Sequence, residues 1–216
     1  MDYKKEYKKY KRICILDLET TGIYWNIDVP IQIAAIIVDS RGRTIAEFNE
    51  KIKTNHKINP EASKINHITA EDLINCRIEK DVLSDFIAWI YGNECDCLLT
   101  YNGLAFDVPM LNKRCHILKL DTEIFNKESE KALPHIDGYK GCVAPCIKDN
   151  VMGLKDALGR KWRLTLVSSY LHLDTENAHD AYVDSSLLRN VFFTLDPLVH
   201  PQDWGEPGVD KKASLF

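Results

Sequence analysis

A short apolar segment near the start of the chain, residues 13–16, leads directly into the hexapeptide Asp17-Leu18-Glu19-Thr20-Thr21-Gly22. The continuous apolar run predicts a strand over residues 12–18 that is buried on both faces of a sheet. Side chains alternate along a strand, so Asp17 and Glu19 leave it on the same face. Two close carboxylates repel each other unless a cation neutralises them, and Mg²⁺ or Mn²⁺ favours oxygen ligands. The hexapeptide therefore indicates metal-dependent phosphate chemistry.

Periodic apolar segments predict the remaining elements. Further strands are expected at residues 31–38, 44–53 and 97–101, and near Ile136. Helical spacing and end signals predict helices at 69–75, 81–91, 108–118, 151–158, 163–171 and 180–195. Three successive strands followed by mixed strands and helices indicate an α/β fold with a mixed sheet.

The length and composition predict one globular domain. The 216 residues suffice for a full core, and we expect a basic arm at 1–11, a folded domain at 12–196 and a tail at 197–216. The net charge of −4 argues against a strongly basic protein that coats DNA. We expect no membrane span and no secretory signal. Seven cysteines without an even framework suggest free thiols in a reducing cytoplasm.

Two later segments carry further candidate ligands. Asp107 follows Asn102 at the entrance to a predicted helix, where its oxygens could equally cap backbone N–H groups. His179 precedes the predicted helix 180–195 and Asp184 lies inside it. A lone histidine is often structural, whereas an aspartate half-buried in a helix needs a partner for its charge. Taken singly, these residues leave structural and catalytic roles open.

Taken in order, the three motifs resemble those of the DEDDh exonucleases, which belong to the DnaQ-like or RNase T-like superfamily. The motifs are Asp-x-Glu-Thr-Thr-Gly after the first strand, Asn-Gly-x-x-Phe-Asp before a central helix, and His-x-Ala-x-x-Asp at the start of a late helix. The resemblance spans roughly residues 12–195. It implies a ribonuclease H-like fold with a mixed five-stranded sheet and helices on both sides, which makes 12–196 an exonuclease domain.

The resemblance also implies roles for individual residues. Asp17, Glu19, Asp107 and Asp184 match the four metal-binding acids, which would hold two Mg²⁺ or Mn²⁺ ions about 3.5–4 Å apart. His179 matches the general base, and its place five residues before Asp184 favours the histidine class over the sister class, which uses tyrosine. The implied reaction releases nucleoside 5′-monophosphates from a 3′ end.

Other matching positions concern the substrate. Thr20, Thr21, Gly22 and Asn102 are expected to contact the terminal nucleotide. The chain departs from the family at residues 66–69, where it has Asn-His-Ile-Thr instead of the usual His-Gly-Ile-Thr. This departure bears on how the terminal base is held.

The substrate and partners leave alternatives. We expect single-stranded DNA or a frayed 3′ end, in proofreading or repair, with a 3′→5′ exoribonuclease as the alternative, because no motif reports contact with a 2′-hydroxyl. The C-terminal Ser214-Leu215-Phe216 resembles the end of the peptide with which bacterial replication proteins bind the sliding clamp. A clamp or a DNA polymerase is therefore a candidate partner, and a clamp-tethered accessory subunit is a further alternative. A non-catalytic relic is disfavoured, because all five expected catalytic residue types are present.

Overall fold

The computed structural model describes residues 10–126, 128–159 and 161–200. Its strands are β1 (Ile13–Thr20), β2 (Pro30–Val38), β3 (Thr44–Lys53), β4 (Arg77–Ile78), β5 (Cys97–Thr100) and β6 (His135–Asp137). They form one mixed sheet in the order β4-β3-β2-β1-β5-β6. The central strand β1 runs antiparallel to β2 and parallel to β5.

The predicted α/β fold class is confirmed, but the sheet has six strands rather than the expected five. The additional strand is β4, whose two residues pair in parallel with Ile52 and Lys53. Two residues are too few to show an alternating pattern, so this strand has no recognisable signal in the sequence. It lies at one edge of the sheet, away from β1.

Within the described ranges, helices cover both faces of the sheet. The α-helices are α1 (Pro60–Asn66), α2 (Ala70–Leu73), α3 (Glu79–Gly92), α4 (Asp107–Leu118), α5 (Ala144–Lys148), α6 (Leu154–Leu158), α7 (Leu164–Tyr170) and α8 (Ala181–Val199). α8 continues four residues beyond its predicted end, through Pro197, because Leu195 and Asp196 are buried there. None of these helices is both long and apolar enough to cross a bilayer.

Alternation along β1 divides the core into two parts. Cys14, Leu16 and Leu18 pack with α3 and α4 on one face. Ile13 and Ile15 pack with α8 on the other face. The odd-numbered side chains at the end of β1 therefore point towards the side of the sheet that α8 covers.

Candidate metal-binding active site

Three carboxylates converge at the C-terminal end of β1. Asp17 and Glu19 project from β1 on the side of α8, and Asp184 lies in the first turn of that helix. One oxygen from each of the three lies within 4.8 Å of the other two. Among the residues that the structure describes, no second group of three or more His, Cys, Asp or Glu side chains has this arrangement. The structure thus brings together three of the four predicted metal ligands.

Asp107 approaches the same point from the opposite face of the sheet. It is the first residue of α4 and is buried. Its carboxylate accepts hydrogen bonds from its own backbone N–H and from that of Leu18, which stands between Asp17 and Glu19. After burial, the charge of Asp107 is the largest influence that raises the pKa of Asp17. Asp107 therefore lies within electrostatic reach of the other three acids, although it is outside the group that shares the 4.8 Å separation.

We call Asp17, Glu19, Asp107 and Asp184 the acidic cluster. Burial is the first cause of a raised pKa in every one of them, and repulsion by neighbouring carboxylates adds to it. The pKa of Glu19 rises to about 8 and that of Asp107 to about 7. The pKa of Asp17 lies well above its ordinary value. The cation-free cluster therefore retains protons near neutral pH, and a divalent cation would replace them.

His179 stands directly before α8, at the edge of the cluster. Its side chain is exposed, and its backbone adopts the left-handed conformation, with φ of 71°. Its backbone N–H donates to the carboxylate of Asp184, and its imidazole is close enough to lower the pKa of that acid. The structure thus places the predicted base beside one of the predicted metal ligands, with its ring open to solvent.

Gln32 is a buried residue of β2 that the sequence analysis did not single out. Its Nε2 donates to Asp180 Oδ2 and to Asn49 Oδ1, both at 3.0 Å. Asp180 in turn caps α8, accepting the backbone N–H groups of Tyr182 and Val183. Because Gln32 pairs with Glu19 across the β1–β2 ladder, it ties the start of α8 to the strand that carries the first acids. A single glutamine within an apolar strand is the only signal that the sequence offered.

Asn66 is a second residue near the acids that was not predicted as part of the site. Its side chain donates to Glu19, which partly offsets the rise in pKa of that acid. It lies at the end of α1, and the next residue, His67, takes the left-handed conformation with φ of 56°. Glycine, the family's usual residue at this position, adopts this conformation freely, whereas His67 is strained in it. The departure at residues 66–69 was the available sequence signal.

The predicted substrate-contacting residues after Glu19 form a fixed turn. Thr20 Oγ1 donates to the carbonyl of Gly22 at 2.6 Å, and Thr21 Oγ1 donates to Asp28 Oδ1 at 2.9 Å. A Cβ on Gly22 would lie 2.7 Å from the carboxylate oxygens of Asp28, so a side chain here would displace that carboxylate from its bonds to Thr21 and Tyr24. The turn therefore holds the backbone of Thr20 and Thr21 in place beside Glu19.

Asn102, the remaining predicted contact residue, belongs to the loop that leads into α4. Its backbone is left-handed, with φ of 62°, and its N–H donates to Asp137 Oδ1 at 3.1 Å. The same oxygen accepts the N–H groups of Tyr139 and Lys140. The charge of Asp137 contributes to the raised pKa of Asp107, after burial. Asp137 is thus a buried acid behind the cluster that fixes the loop carrying Asp107.

The donor set fits hard divalent cations. Every member of the acidic cluster offers carboxylate oxygens, which Mg²⁺ and Mn²⁺ prefer over nitrogen or sulfur ligands. Asp184 Oδ1 is buried and has no hydrogen-bond partner among the described residues. A buried, unsatisfied carboxylate oxygen is costly unless a cation or another donor reaches it. The cluster therefore has the ligand type of a cation site, and it contains a buried oxygen for which a bound cation would be a suitable partner.

This geometry, acids from three separate elements at the end of a central strand, agrees with a family comparison. The sequence model of the RNase T family, described as exonucleases, matches residues 14–192. The chain therefore belongs to the RNase T-type exonuclease family, which is metal-dependent, and its enzyme class is that of the 3′→5′ exonucleases.

Two of the relatives are subunits of DNA polymerase III. The chain is 30% identical over 182 residues to the DNA polymerase III subunit epsilon of Treponema pallidum, covering 83% of this chain and 74% of that protein. It is 36% identical over 114 residues to the Buchnera aphidicola subunit of the same name, covering 50% of this chain and 47% of the relative.

Solved structures share the fold. Exonuclease I of E. coli bound to single-stranded DNA superimposes with a TM-score of 0.71 at 20% sequence identity. The match covers 90% of this chain but only 42% of exonuclease I, so the chain spans less than half of that protein. The likeness supports the ribonuclease H-like fold that the sequence predicted.

Proposed function

We propose that this chain removes nucleoside 5′-monophosphates from the 3′ ends of single-stranded or frayed DNA, as part of proofreading or repair. The observation that carries the proposal is the convergence of Asp17, Glu19 and Asp184 within 4.8 Å. Such a group of acids is unfavourable in a folded core, and a polyanionic substrate would approach it only if cations were present.

We infer that Asp17, Glu19, Asp107 and Asp184 hold two Mg²⁺ or Mn²⁺ ions. When bound, such ions would acidify a water molecule and stabilise the negative charge on the departing oxygen. The protein's own contribution is to keep the acids in place. β1, α4 and α8 are each anchored in the core on their apolar sides, so the carboxylates stay close despite their repulsion.

We assign proton transfer to His179. The water that attacks phosphorus loses a proton, and the His179 imidazole beside Asp184 accepts it as the general base. Attack forms one P–O bond and breaks the bond between phosphorus and the 3′ oxygen of the preceding nucleotide. The products are a nucleoside 5′-monophosphate and a shortened strand with a 3′-hydroxyl. The exposed position of His179 suits this role, because the imidazole must exchange its proton with solvent after each cycle.

We further infer that Thr20, Thr21, Gly22 and Asn102 position the terminal nucleotide. The turn at residues 20–22 is held rigid by hydrogen bonds and by the contact of Gly22 with Asp28. Asn102 is held by Asp137 at the mouth of the same site. Groups that are already fixed lose little freedom when they bind substrate.

DNA is favoured over RNA because of the relatives. The epsilon subunits belong by name to DNA polymerase III, and exonuclease I was solved with single-stranded DNA. We infer that a DNA polymerase is the partner and that the enzyme acts in the cytoplasm, where its seven free thiols would stay reduced. Clamp binding through Ser214, Leu215 and Phe216 remains a prediction, because these residues lie outside the described part of the chain.

A strand-shortening assay tests the proposal. We expect a 5′-labelled DNA oligonucleotide to shorten from its 3′ end in Mg²⁺ or Mn²⁺, and not in EDTA, with an RNA of the same sequence cleaved more slowly. Asp17→Ala should abolish the ladder, and His179→Ala should slow it roughly 10²–10⁴-fold, the usual share of a general base. Asp174→Ala and His56→Ala, at exposed positions elsewhere, are the matched controls. Equal activity in EDTA, or full activity of Asp17→Ala, would refute the proposal.

A further inference from the structure

A groove lies between the loop at residues 22–28, which follows Glu19 closely in the chain, and α4, which begins with Asp107. Its volume is about 420 Å³. Pro109, Asn112, Lys113 and His116 line one side, and their spacing places them on a single face of α4. Trp25 lines the other side, and the groove is closed by Thr122 and Asn126. Pro109 is two residues from Asp107, so along the axis of α4 the groove begins within one turn of that acid, on the other side of the helix.

The chemistry of the groove is opposite to that of the neighbouring cluster. The residues that line it include a lysine, a histidine and two amides, and none of them is acidic. The chain as a whole has a net charge of −4, so a groove lined by a lysine and by no carboxylate differs in charge from the rest of the molecule. A phosphate group that is repelled by the acidic cluster would be attracted to Lys113 in this groove.

Trp25 is held so that it can present its ring. Its side chain is 40% exposed, although large aromatic side chains gain most from burial. The loop that carries it is fixed by Asp28, which accepts the N–H of Tyr24 at 2.8 Å and the hydroxyl of Thr21 at 2.9 Å. Lys113 Nζ donates to the carbonyl of Asn26, which ties the loop to α4. An exposed tryptophan on an anchored loop is a suitable stacking surface for a planar ring.

The distance from the cluster suits the strand rather than its terminal nucleotide. Lys113 lies six residues from Asp107 along α4, which corresponds to about 9 Å of helix rise. A phosphate on Lys113 would thus belong to a nucleotide upstream of the scissile bond. The aromatic surface and the lysine ammonium together match the two parts of one nucleotide, its base and its phosphate.

We propose that this groove binds a nucleotide of the single strand on the 5′ side of the scissile bond, with the base stacked on Trp25 and the phosphate on Lys113. The inference rests on the proposed function for its substrate class, and it adds the path along which the strand leaves the site. The groove then determines affinity for longer strands, whereas the acidic cluster determines the chemistry.

A second exposed tryptophan provides a matched comparison. The side chain of Trp162 is 41% exposed, and exposed cationic residues, Lys161 and Arg163, flank it in the chain. One face of its ring is already covered by Tyr139, at a centroid distance of 4.3 Å. Replacing Trp25 and Trp162 separately by alanine therefore distinguishes the proposed path from a path across the surface that carries Trp162.

Steady-state kinetics on two substrates test the path. One is a ten-residue thymidylate strand, and the other is a nitrophenyl ester of thymidine 5′-monophosphate, which has no upstream nucleotide. We expect Trp25→Ala to raise KM for the strand by about 5- to 100-fold, the range of one lost base stack. Hydrolysis of the ester should stay unchanged, as should both activities of Trp162→Ala. The path is refuted if Trp25→Ala impairs both substrates equally, or if only Trp162→Ala raises KM for the strand.

Direct binding separates this inference from the proposed function. Fluorescence anisotropy of a labelled phosphorothioate strand in Ca²⁺ reports affinity without turnover. We expect Lys113→Ala to weaken binding and to lower the slope of log K against log salt by about 0.7, the share of one phosphate contact on a single strand. Lys148→Ala, at an exposed site outside the groove, should leave the slope unchanged. Unchanged binding by Trp25→Ala and Lys113→Ala refutes the groove even if the enzyme cleaves DNA, whereas weakened binding supports it even if it does not.

Discussion

Replacing Glu19 with Gln should stabilise the cation-free protein at neutral and alkaline pH. Gln keeps an oxygen that can accept the hydrogen bond from Asn66, but it removes one charge from the acidic cluster. The folded-state pKa of Glu19 is about 8, whereas the unfolded chain has an ordinary value of 4.5. Between these values the folded protein binds more protons than the unfolded chain, so its stability falls as pH rises. The loss of stability that comes from ionising Glu19 is absent below pH 4.5 and complete above pH 8.

The size of the effect follows from the same two pKa values. A fully expressed difference from 4.5 to about 8 corresponds to roughly 5 kcal/mol, at 1.36 kcal/mol for each pH unit. Glu19 is only half-buried, and water that reaches it screens part of this energy, so about 2–4 kcal/mol is a realistic gain for Glu19→Gln at pH 8. For a chain of this length the gain corresponds to a rise in Tm of roughly 5–15 °C.

Divalent cations should reverse the order of stability. A cation at 1,000 times its Kd stabilises the wild-type protein by about 4.1 kcal/mol, which exceeds the advantage of about 2–4 kcal/mol, and Glu19→Gln, which has lost a ligand, gains much less. The measurement is thermal unfolding by circular dichroism at pH 5 and pH 8, in EDTA and in Mn²⁺. Glu19→Gln should unfold at the higher temperature only in EDTA at pH 8.

A control variant makes this test specific. Glu176→Gln, at an exposed position, should change Tm little in any buffer. The reasoning is refuted if Glu19→Gln is less stable than wild type in EDTA at pH 8, or if its advantage there is the same at pH 5. The first result would mean that Glu19 is stabilised as an anion by groups other than a bound cation, and the second that the advantage of Glu19→Gln does not come from the charge of Glu19.

Two further substitutions probe the scaffold. Gly103→Ala would place a Cβ 2.6 Å from Asp107 Oδ2 and against the hydroxyl of Thr100, so it should cost about 1–3 kcal/mol of stability and weaken Mn²⁺ binding in a calorimetric titration; undiminished Mn²⁺ affinity would contradict this close contact. Phe86→Ala would remove a fully buried ring of α3 that packs 5.1 Å from Phe48, so it should cost about 3–5 kcal/mol in urea unfolding, and a loss below 1 kcal/mol would contradict this packing.

The sequence predicted most of the sheet because its strands are long or strongly apolar. β1, β2, β3 and β5 were found within a few residues of their observed ends, since burial on one or both faces leaves a clear pattern. α5 was not found, because Pro145 in its first turn and five residues of a wider helical turn before it, Tyr139–Val143, obscure the periodicity. The segment 126–150 nevertheless contributes Ile136, Cys142 and Val143 to the core, so it is part of the fold.

The sequence predicted the acids of the candidate site but not the residues that keep these acids in position. Asp17, Glu19 and Asp184 carry a motif, and the structure brings them together. Gln32 and Asp137 act through hydrogen bonds to distant segments, across 148 and 35 residues respectively. No local spacing encodes such contacts, because they depend on how the sheet and α8 pack. Tertiary structure is therefore needed to identify the residues that orient a site.

The acidic cluster is assembled from both faces of one sheet, and this explains how the fold tolerates it. α8 is anchored on one face by Val191 and Phe192, and α4 on the other by Met110 and Leu111. Their carboxylates meet at the end of β1 and cannot move apart unless one of these apolar contacts opens. The repulsion is consequently retained in the folded, cation-free state instead of being relieved by local rearrangement. Binding of a cation relieves it, so part of the affinity for the cation comes from the packing of residues that never touch the metal.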